Sequence, residues 1–102
     1  MIVVTWNVNS IKVRLHAVLQ YLSEENPDVL VLQETKSIDE NFPAAAFSDI
    51  GYHVIFCGQK TYNGVAIISK DEPQDIHINP VSTGENEMRS ISAIYNGIRI
   101  VN

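Results

Sequence analysis
Cysteine is nearly missing from this chain: Cys57 stands alone among 102 residues. No internal disulfide can form within it, and such usage suits a reducing compartment. Long apolar runs are missing as well, and none approaches the roughly 20 residues that a membrane-spanning helix needs. The opening Met1-Ile2-Val3-Val4-Thr5-Trp6 has no basic stretch ahead of its apolar residues, which argues against a secretory leader. A cytoplasmic protein without membrane partners is the expectation. Positive charge is also scarce, with seven Lys and Arg against twelve Asp and Glu and a net charge of −5. That argues against a surface that coats nucleic acid generally. It leaves room for an enzyme that holds phosphates with a few local lysines while a carboxylate holds a cation. Phosphate-cradling glycine patterns, serine nucleophile elbows and Cys/His zinc spacings are all absent.

What remains is an ordinary globular composition, 45% apolar, and a length sufficient for one small core. The stretch that organises it is Val29-Leu30-Val31-Leu32-Gln33-Glu34-Thr35-Lys36. Four aliphatic side chains in a row predict a strand covered on both faces, as in a parallel or mixed sheet packed by helices. Polar residues follow at once. In open α/β sheets ligands collect at the carboxyl ends of strands, so Glu34 is the first place to look for chemistry.

Ahead of it, Ile2–Trp6 reads as a first strand ending in the turn-forming Asn7-Val8-Asn9-Ser10. Ile11, Leu15, Val18, Leu19 and Leu22 then recur at helical spacing, with Asn9 or Ser10 as the cap and Asn26-Pro27 as the stop. Strand, helix, strand in about thirty residues is a βαβ unit with parallel strands. Asn7 and Glu34 should then emerge on one sheet edge, and Asn9 shares a face with Asn7 if the extended backbone reaches it. Residues 37–48 read as a connector with one helical turn. Tyr52–Cys57 and Val65–Ser69 read as strands joined by the polar loop 58–64, and Cys57 as a small buried residue. Pro73 and Pro80 make a central strand over 71–80 improbable, and 82–87 is a polar acidic loop. Arg89–Tyr95, Asn96-Gly97 and Ile98–Val101 form a hairpin with a type I′ turn.

For Glu34 two readings stand: a surface carboxylate at a strand end, or a ligand for a hard divalent cation with the Asn7 amide oxygen nearby. His16, His53 and His77 have no ligand partner at a recognisable spacing, and Glu85 with Glu87 reads as a solvated acidic surface.

Three segments, Thr5-Trp6-Asn7-Val8-Asn9-Ser10-Ile11-Lys12, Pro27-Asp28-Val29-Leu30-Val31-Leu32-Gln33-Glu34-Thr35-Lys36 and Gly64-Val65-Ala66-Ile67-Ile68-Ser69, together resemble the exonuclease III family. These are the bacterial apurinic/apyrimidinic (AP) endonucleases of the endonuclease/exonuclease/phosphatase superfamily. Gly51-Tyr52 and Gly58-Gln59-Lys60 also fit. The resemblance implies a mixed α/β chain forming part of a four-layer α-β-β-α sandwich (the DNase I-like fold). It implies a DNA-repair nuclease that hydrolyses phosphodiesters at abasic sites and 3′ ends of duplex DNA, with Mg2+ as cofactor and Mn2+ as the alternative.

By resemblance Glu34 is a metal ligand, and Asn7 supports the metal or the scissile phosphate. Asn9 stands where some relatives carry aspartate. Asn9, Lys12, Lys36, Tyr62 and Arg89 fall in segments that contact DNA. The competing readings of these are solvated charge for Lys12 and Lys36, a loop aromatic for Tyr62 and a strand-end ion pair for Arg89. The family's catalytic tyrosine, Asp-x-Asn pair and terminal Asp and His are expected downstream of Asn102. Residues 1–102 are therefore expected to be the N-terminal part of a single domain, inactive alone, within a full-length monomer. The alternatives are a superfamily phosphatase or phosphodiesterase acting on small or lipid phosphates, and a non-catalytic binding fragment whose apolar hairpin edge self-associates. The Asn-Val-Asn-Ser start and the Gln-Lys loop favour the DNA branch.

Overall fold
Val29–Gln33 (β2) runs through the middle of the fold because both of its faces are covered. In the computed structural model, which describes residues 1–81 and 87–102, Leu30 and Leu32 face one apolar cluster while Val29 and Val31 face another. Four strands form the first sheet in the order β1-β2-β4-β3, with β1 at Val3–Asn7, β3 at His53–Cys57 and β4 at Val65–Ser69. β1 and β2 are parallel, as the βαβ reading requires, and β4 runs antiparallel to both β2 and β3.

The crossover helix α1 (Ile11–Glu25) lies on the face carrying Leu30, Leu32, Ala66 and Ile68, and buries Ile11, Val18 and Leu22 there. Ser10 caps it, its side chain accepting from the Val13 N–H at 3.3 Å. Asn26 closes it in the left-handed conformation (φ +49) ahead of Pro27. The connector after β2 holds a 3-10 turn at Asp39–Asn41 and a short helix α2 at Ala44–Ser48, whose Phe47 is fully buried. Phe42 stacks flat on Phe56 with ring centroids 4.2 Å apart and ties this connector to β3.

On the opposite face lies a second, antiparallel sheet of β5 (Gln74–Ile78), β6 (Ile91–Tyr95) and β7 (Ile98–Val101). Ile91, Ala93 and Tyr95 meet Val29, Val31, Val65 and Ile67 between the sheets. Helices, sheet and sheet are three layers of the expected sandwich. The β6–β7 turn has φ +50 at Asn96 and +77 at Gly97, the two positive values a type I′ turn needs. Residues 71–80 contain a strand after all, but at the sheet edge and bulged between Gln74 and His77, which suits the flanking prolines. Asn102 pins the two sheets together. Its amide Nδ2 donates to the carbonyls of Leu32 at 2.8 Å and Ala66 at 3.0 Å, and its Oδ1 accepts from Gln33 Nε2 at 2.8 Å. The expected loop over 82–87, with Glu85, falls outside the described residues apart from Glu87. Among the described residues no helix is long and apolar enough to cross a membrane.

Gly64, at the entry to β4, has φ +92, and a Cβ there would stand 2.1 Å from Thr35 Oγ1. Gly97 also has positive φ but open space around it. Gly64→Ala should therefore cost about 2–4 kcal/mol and Gly97→Ala only about 1 kcal/mol, as read by urea unfolding of the two variants.

Burial pushes the Cys57 thiol up to about 11 and the Tyr95 phenol up to about 12. Both groups are neutral in the folded state and ionise more readily when unfolded. Their contribution is complete below about pH 9 and is lost as pH rises through their folded values. Unfolding free energy should fall by about 3 kcal/mol between pH 8.5 and 11, and Cys57→Ala should remove the larger part of that decline.

Candidate functional site
Parallel pairing of β1 with β2 brings Asn7 opposite Gln33, so the residues that follow leave the sheet on one edge. The chain does not stray from there. Ser10 and Ile11, the first amides of α1, donate to the carbonyls of Glu34 at 2.8 Å and Thr35 at 2.9 Å. On the other side, the Thr35 and Lys36 amides donate to the carbonyls of Gly64 at 3.2 Å and Asn63 at 2.9 Å. Helix start, strand exit and strand entry thus share one set of hydrogen bonds. Thr35, between them, is 1% exposed.

The backbone is strained where these segments meet. Asn9, Ser10, Glu34, Lys36, Thr61 and Asn63 all carry positive φ, from +47 to +94. Non-glycine residues hold such conformations only where the surroundings over-determine them, and such residues cluster at functional sites. Asn9 (φ +47) is not extended, so the face it was expected to share with Asn7 does not exist. Its side chain turns the other way, and Oδ1 accepts from Lys36 Nζ at 2.6 Å. Asn7 Oδ1 accepts from the Asn9 N–H at 3.2 Å.

Two cavities flank the clamped segment. The smaller, about 120 Å³, brings together Asn7, Glu34, Arg89 and the neighbouring Gln33, Asn63 and Gly64. Among the described residues the Glu34 carboxylate accepts no hydrogen bond and pairs with no cation. Arg89 instead pairs with Glu87 at 3.2 Å, the strand-end ion pair foreseen for it, while still lining the notch. An unpaired carboxylate beside amide oxygens fits a hard divalent cation. Among the described residues no group of three His, Cys, Asp or Glu side chains comes together as a metal cluster, so Glu34 is a single carboxylate at this notch. Gln33 is committed elsewhere, to Thr5 and Asn102.

The larger cavity, about 680 Å³, lies on the helix side of the segment and is lined by Lys12, Lys36 and Lys60 among others. Tyr62, 68% exposed, projects from the loop between β3 and β4 and lines neither cavity. Sequence reasoning used Lys60 only as part of the Gly58-Gln59-Lys60 resemblance and named neither it nor Asn63 as a site residue. The signal available for both was their polar loop, which β4 returns to the edge occupied by Glu34.

Residues 4–102 match the Endonuclease/Exonuclease/phosphatase family. Over 73 residues the chain is 40% identical to exodeoxyribonuclease III of Haemophilus influenzae, covering 72% of this chain and 27% of that protein. The 3′-5′ exonuclease NExo from Neisseria meningitidis superposes with a TM-score of 0.94 at 47% identity, over 99% of this chain and 40% of its own. A 3′ phosphatase NExo structure from Neisseria, bound to product DNA hairpin, gives a TM-score of 0.91 at 47% identity, over 96% of this chain and 39% of its own. The chain thus spans between about a quarter and two-fifths of the length of these relatives. With the family pattern covering all but the first three residues, and the DNase I-like fold formed around it, this chain belongs to the Endonuclease/Exonuclease/phosphatase family.

Proposed function
We propose that the chain is the substrate- and cation-holding part of a DNA-repair nuclease of the exodeoxyribonuclease III and AP endonuclease type, acting on phosphodiesters at abasic sites and 3′ ends. The observation that carries this reading is Glu34: a carboxylate in a left-handed backbone position (φ +56) at a strand exit, without a cationic partner among the described residues, beside Asn7. Relatives named exodeoxyribonuclease III, 3′-5′ exonuclease and 3′ phosphatase, the last bound to product DNA, support DNA as the substrate over small or lipid phosphates.

Glu34 would hold the divalent cation, Mg2+ by preference and Mn2+ as the alternative, with Asn7 supplying or orienting an amide oxygen. When bound, such an ion polarises a phosphoryl oxygen and lowers the pKa of water. The protein's own share is positional. Asn7 is fixed by the Asn9 amide, and Asn9 in turn holds the Lys36 ammonium. Lys36 and Lys12 neutralise backbone phosphates without reading sequence, and Arg89 approaches the notch from the second sheet. Tyr62 offers an exposed ring for contact along the strand. The notch contributes one carboxylate, and a carboxylate engaged with a cation cannot also take the proton from attacking water. The 102-residue chain alone is therefore expected to bind cation and DNA but not to cut.

Two measurements test this. Titration of Mg2+ or Mn2+ should shift the amide resonances of Glu34 and Asn7, and Glu34→Gln should weaken cation affinity at least tenfold while leaving the fold unchanged. In an incision assay on an abasic-site duplex, the isolated chain should leave the duplex intact. Robust cutting would refute the division of labour, and displacement of bound abasic DNA by inositol phosphates would refute the substrate.

A further inference from the structure
Gln33 and Asn102 meet between the two sheets, where Gln33 also lines the Glu34 notch. Half-buried amides in such a place cost free energy unless their hydrogen bonds are met. Here they are met. Gln33 ends β2 on the face that Val29 and Val31 turn to the second sheet. Its Nε2 donates to Asn102 Oδ1 at 2.8 Å and to Thr5 Oγ1 at 2.9 Å. Asn102 gives its own amide hydrogens to the carbonyls of Leu32 and Ala66, which stand opposite each other in the β2–β4 pairing. Its backbone N–H and carbonyl pair with Ile91 at 2.8 and 2.9 Å. One residue is therefore held by the first sheet through its side chain and by the second through its backbone.

What this fixes is the approach of Arg89. Elsewhere the sheets meet through Val29, Val31, Val65 and Ile67 against Ile91, Ala93 and Tyr95, with a weaker contact from the Cys57 thiol to the Ser90 carbonyl at 3.5 Å. Aliphatic burial is non-directional, so it holds the sheets together without selecting among small slides of one over the other. Amide hydrogen bonds weaken steeply with angle and do select. The segment that carries Arg89 is tied to the first sheet on both sides. The Gly64 amide donates to the Met88 carbonyl at 2.9 Å, and Ile91 is paired to Asn102. The anchors lie close to the notch, since Leu32 is two residues before Glu34 and Ala66 two after Gly64. Thr5, opposite Val31 and two residues before Asn7 on the same face of β1, extends the network to the strand that presents Asn7.

We propose that the Gln33–Asn102 amide pair is a positioning device for the notch, setting how far and at what angle Arg89 stands from Glu34 and Asn7. The inference rests on the reading of Glu34 as the cation ligand and deepens it. Asn102 does not line the notch. It acts by fixing the second sheet on the first, so that a cation at Glu34 and an anion at Arg89 are held at one spacing. Groups placed in advance at a working distance need not be gathered when the substrate arrives.

The test compares the 102-residue chain with Asn102→Leu, which keeps the size of the side chain and removes its hydrogen bonds, and with Asn102→Ser, too short to span to Gln33. Residual dipolar couplings of the metal-free proteins report how β5–β7 are oriented on β1–β4. Mn2+ added to the same samples broadens each amide signal according to its distance from the ion. In the parent chain Mn2+ should broaden Asn7 and Arg89 together. In Asn102→Leu the second sheet should take a new or averaged orientation, and broadening at Arg89 should change at least threefold while that at Asn7 stays the same. Mn2+ affinity should move less than twofold, because its holders remain on the first sheet. If Asn102→Leu fails to fold, Asn102→Ser decides on the same readouts. Lower stability toward urea with unchanged orientation and unchanged broadening would make the pair a structural tie and overturn the proposal. Altered orientation in the variant, with no broadening at Glu34 or Asn7 in the parent, would refute the cation reading and leave the positioning role standing. Mn2+ binding with Arg89 unmoved would do the reverse.

Discussion
Everything near the site depends on the hydrogen bonds that hold Glu34-Thr35-Lys36. A helix begins with amides that have no intrahelical acceptor. Here the Ser10 and Ile11 amides, at the junction of turn and helix, are satisfied by the carbonyls of Glu34 and Thr35 rather than by water. The same three-residue segment spends its own amides on Asn63 and Gly64. Each such bond is worth only about 1 kcal/mol net, but leaving one unmade in a buried place costs more. The constraint is therefore stronger than its sum suggests. It also explains how left-handed conformations at Glu34 and Lys36, costing about 1–3 kcal/mol each, persist on either side of a buried threonine. With Thr35 fixed, Glu34 lies on the notch side and Lys36 on the side of the basic cavity. Opposite charges two residues apart line different cavities and do not neutralise each other.

Net charge is a poor guide to such a surface. At physiological salt the screening length is about 8 Å, so the potential in the cavity lined by Lys12, Lys36 and Lys60 is set by these lysines far more than by carboxylates on distant faces. A net charge of −5 disfavours indiscriminate adsorption to polyanions. The local cluster supplies attraction only where the fold has gathered it. Lys36 adds a further element, because its bond to Asn9 couples the ammonium to the amide chain that ends at Asn7.

The sequence made the βαβ unit plain because its signals are local. A four-residue aliphatic run, a helical repeat with a capping serine, and an Asn-Gly turn each act within a few residues. Glu34 was legible for the same reason, as the first charged residue past a doubly buried strand. The conformation of Asn9 was not, since what rotates it out of the strand is Ser10 reaching across to Glu34, twenty-four residues on. Lys60 was hidden for a related cause. Its place beside Lys12 depends on the antiparallel return of β4 against β2 and on the approach of Gly58 to Ser37, neither of which leaves a periodic mark. The edge strand β5 escaped because a bulged strand flanked by prolines and exposed along its whole length has no hydrophobic alternation to betray it. Cys57 looked like a small buried residue, and its raised pKa, like that of Tyr95, follows from burial.

The notch is also a joint between the two sheets. Glu34 and Asn7 belong to the first, whereas Arg89 leads into β6 of the second. The Gly64 amide donates to the Met88 carbonyl at 2.9 Å, linking the β4 entry to the residue before Arg89. At the same end of the second sheet, Asn102, just past β7, bonds the carbonyls of β2 and β4, and its backbone exchanges two hydrogen bonds with Ile91, two residues from Arg89. The distance between the Arg89 guanidinium and the Glu34 carboxylate is thus set by how the sheets dock, through Asn102, Ile91 and Met88. A site assembled across such a joint can be altered from the hydrophobic interior. A change at Ala93 or Val31 that shifted one sheet over the other would move Glu34 and Arg89 relative to each other without touching either.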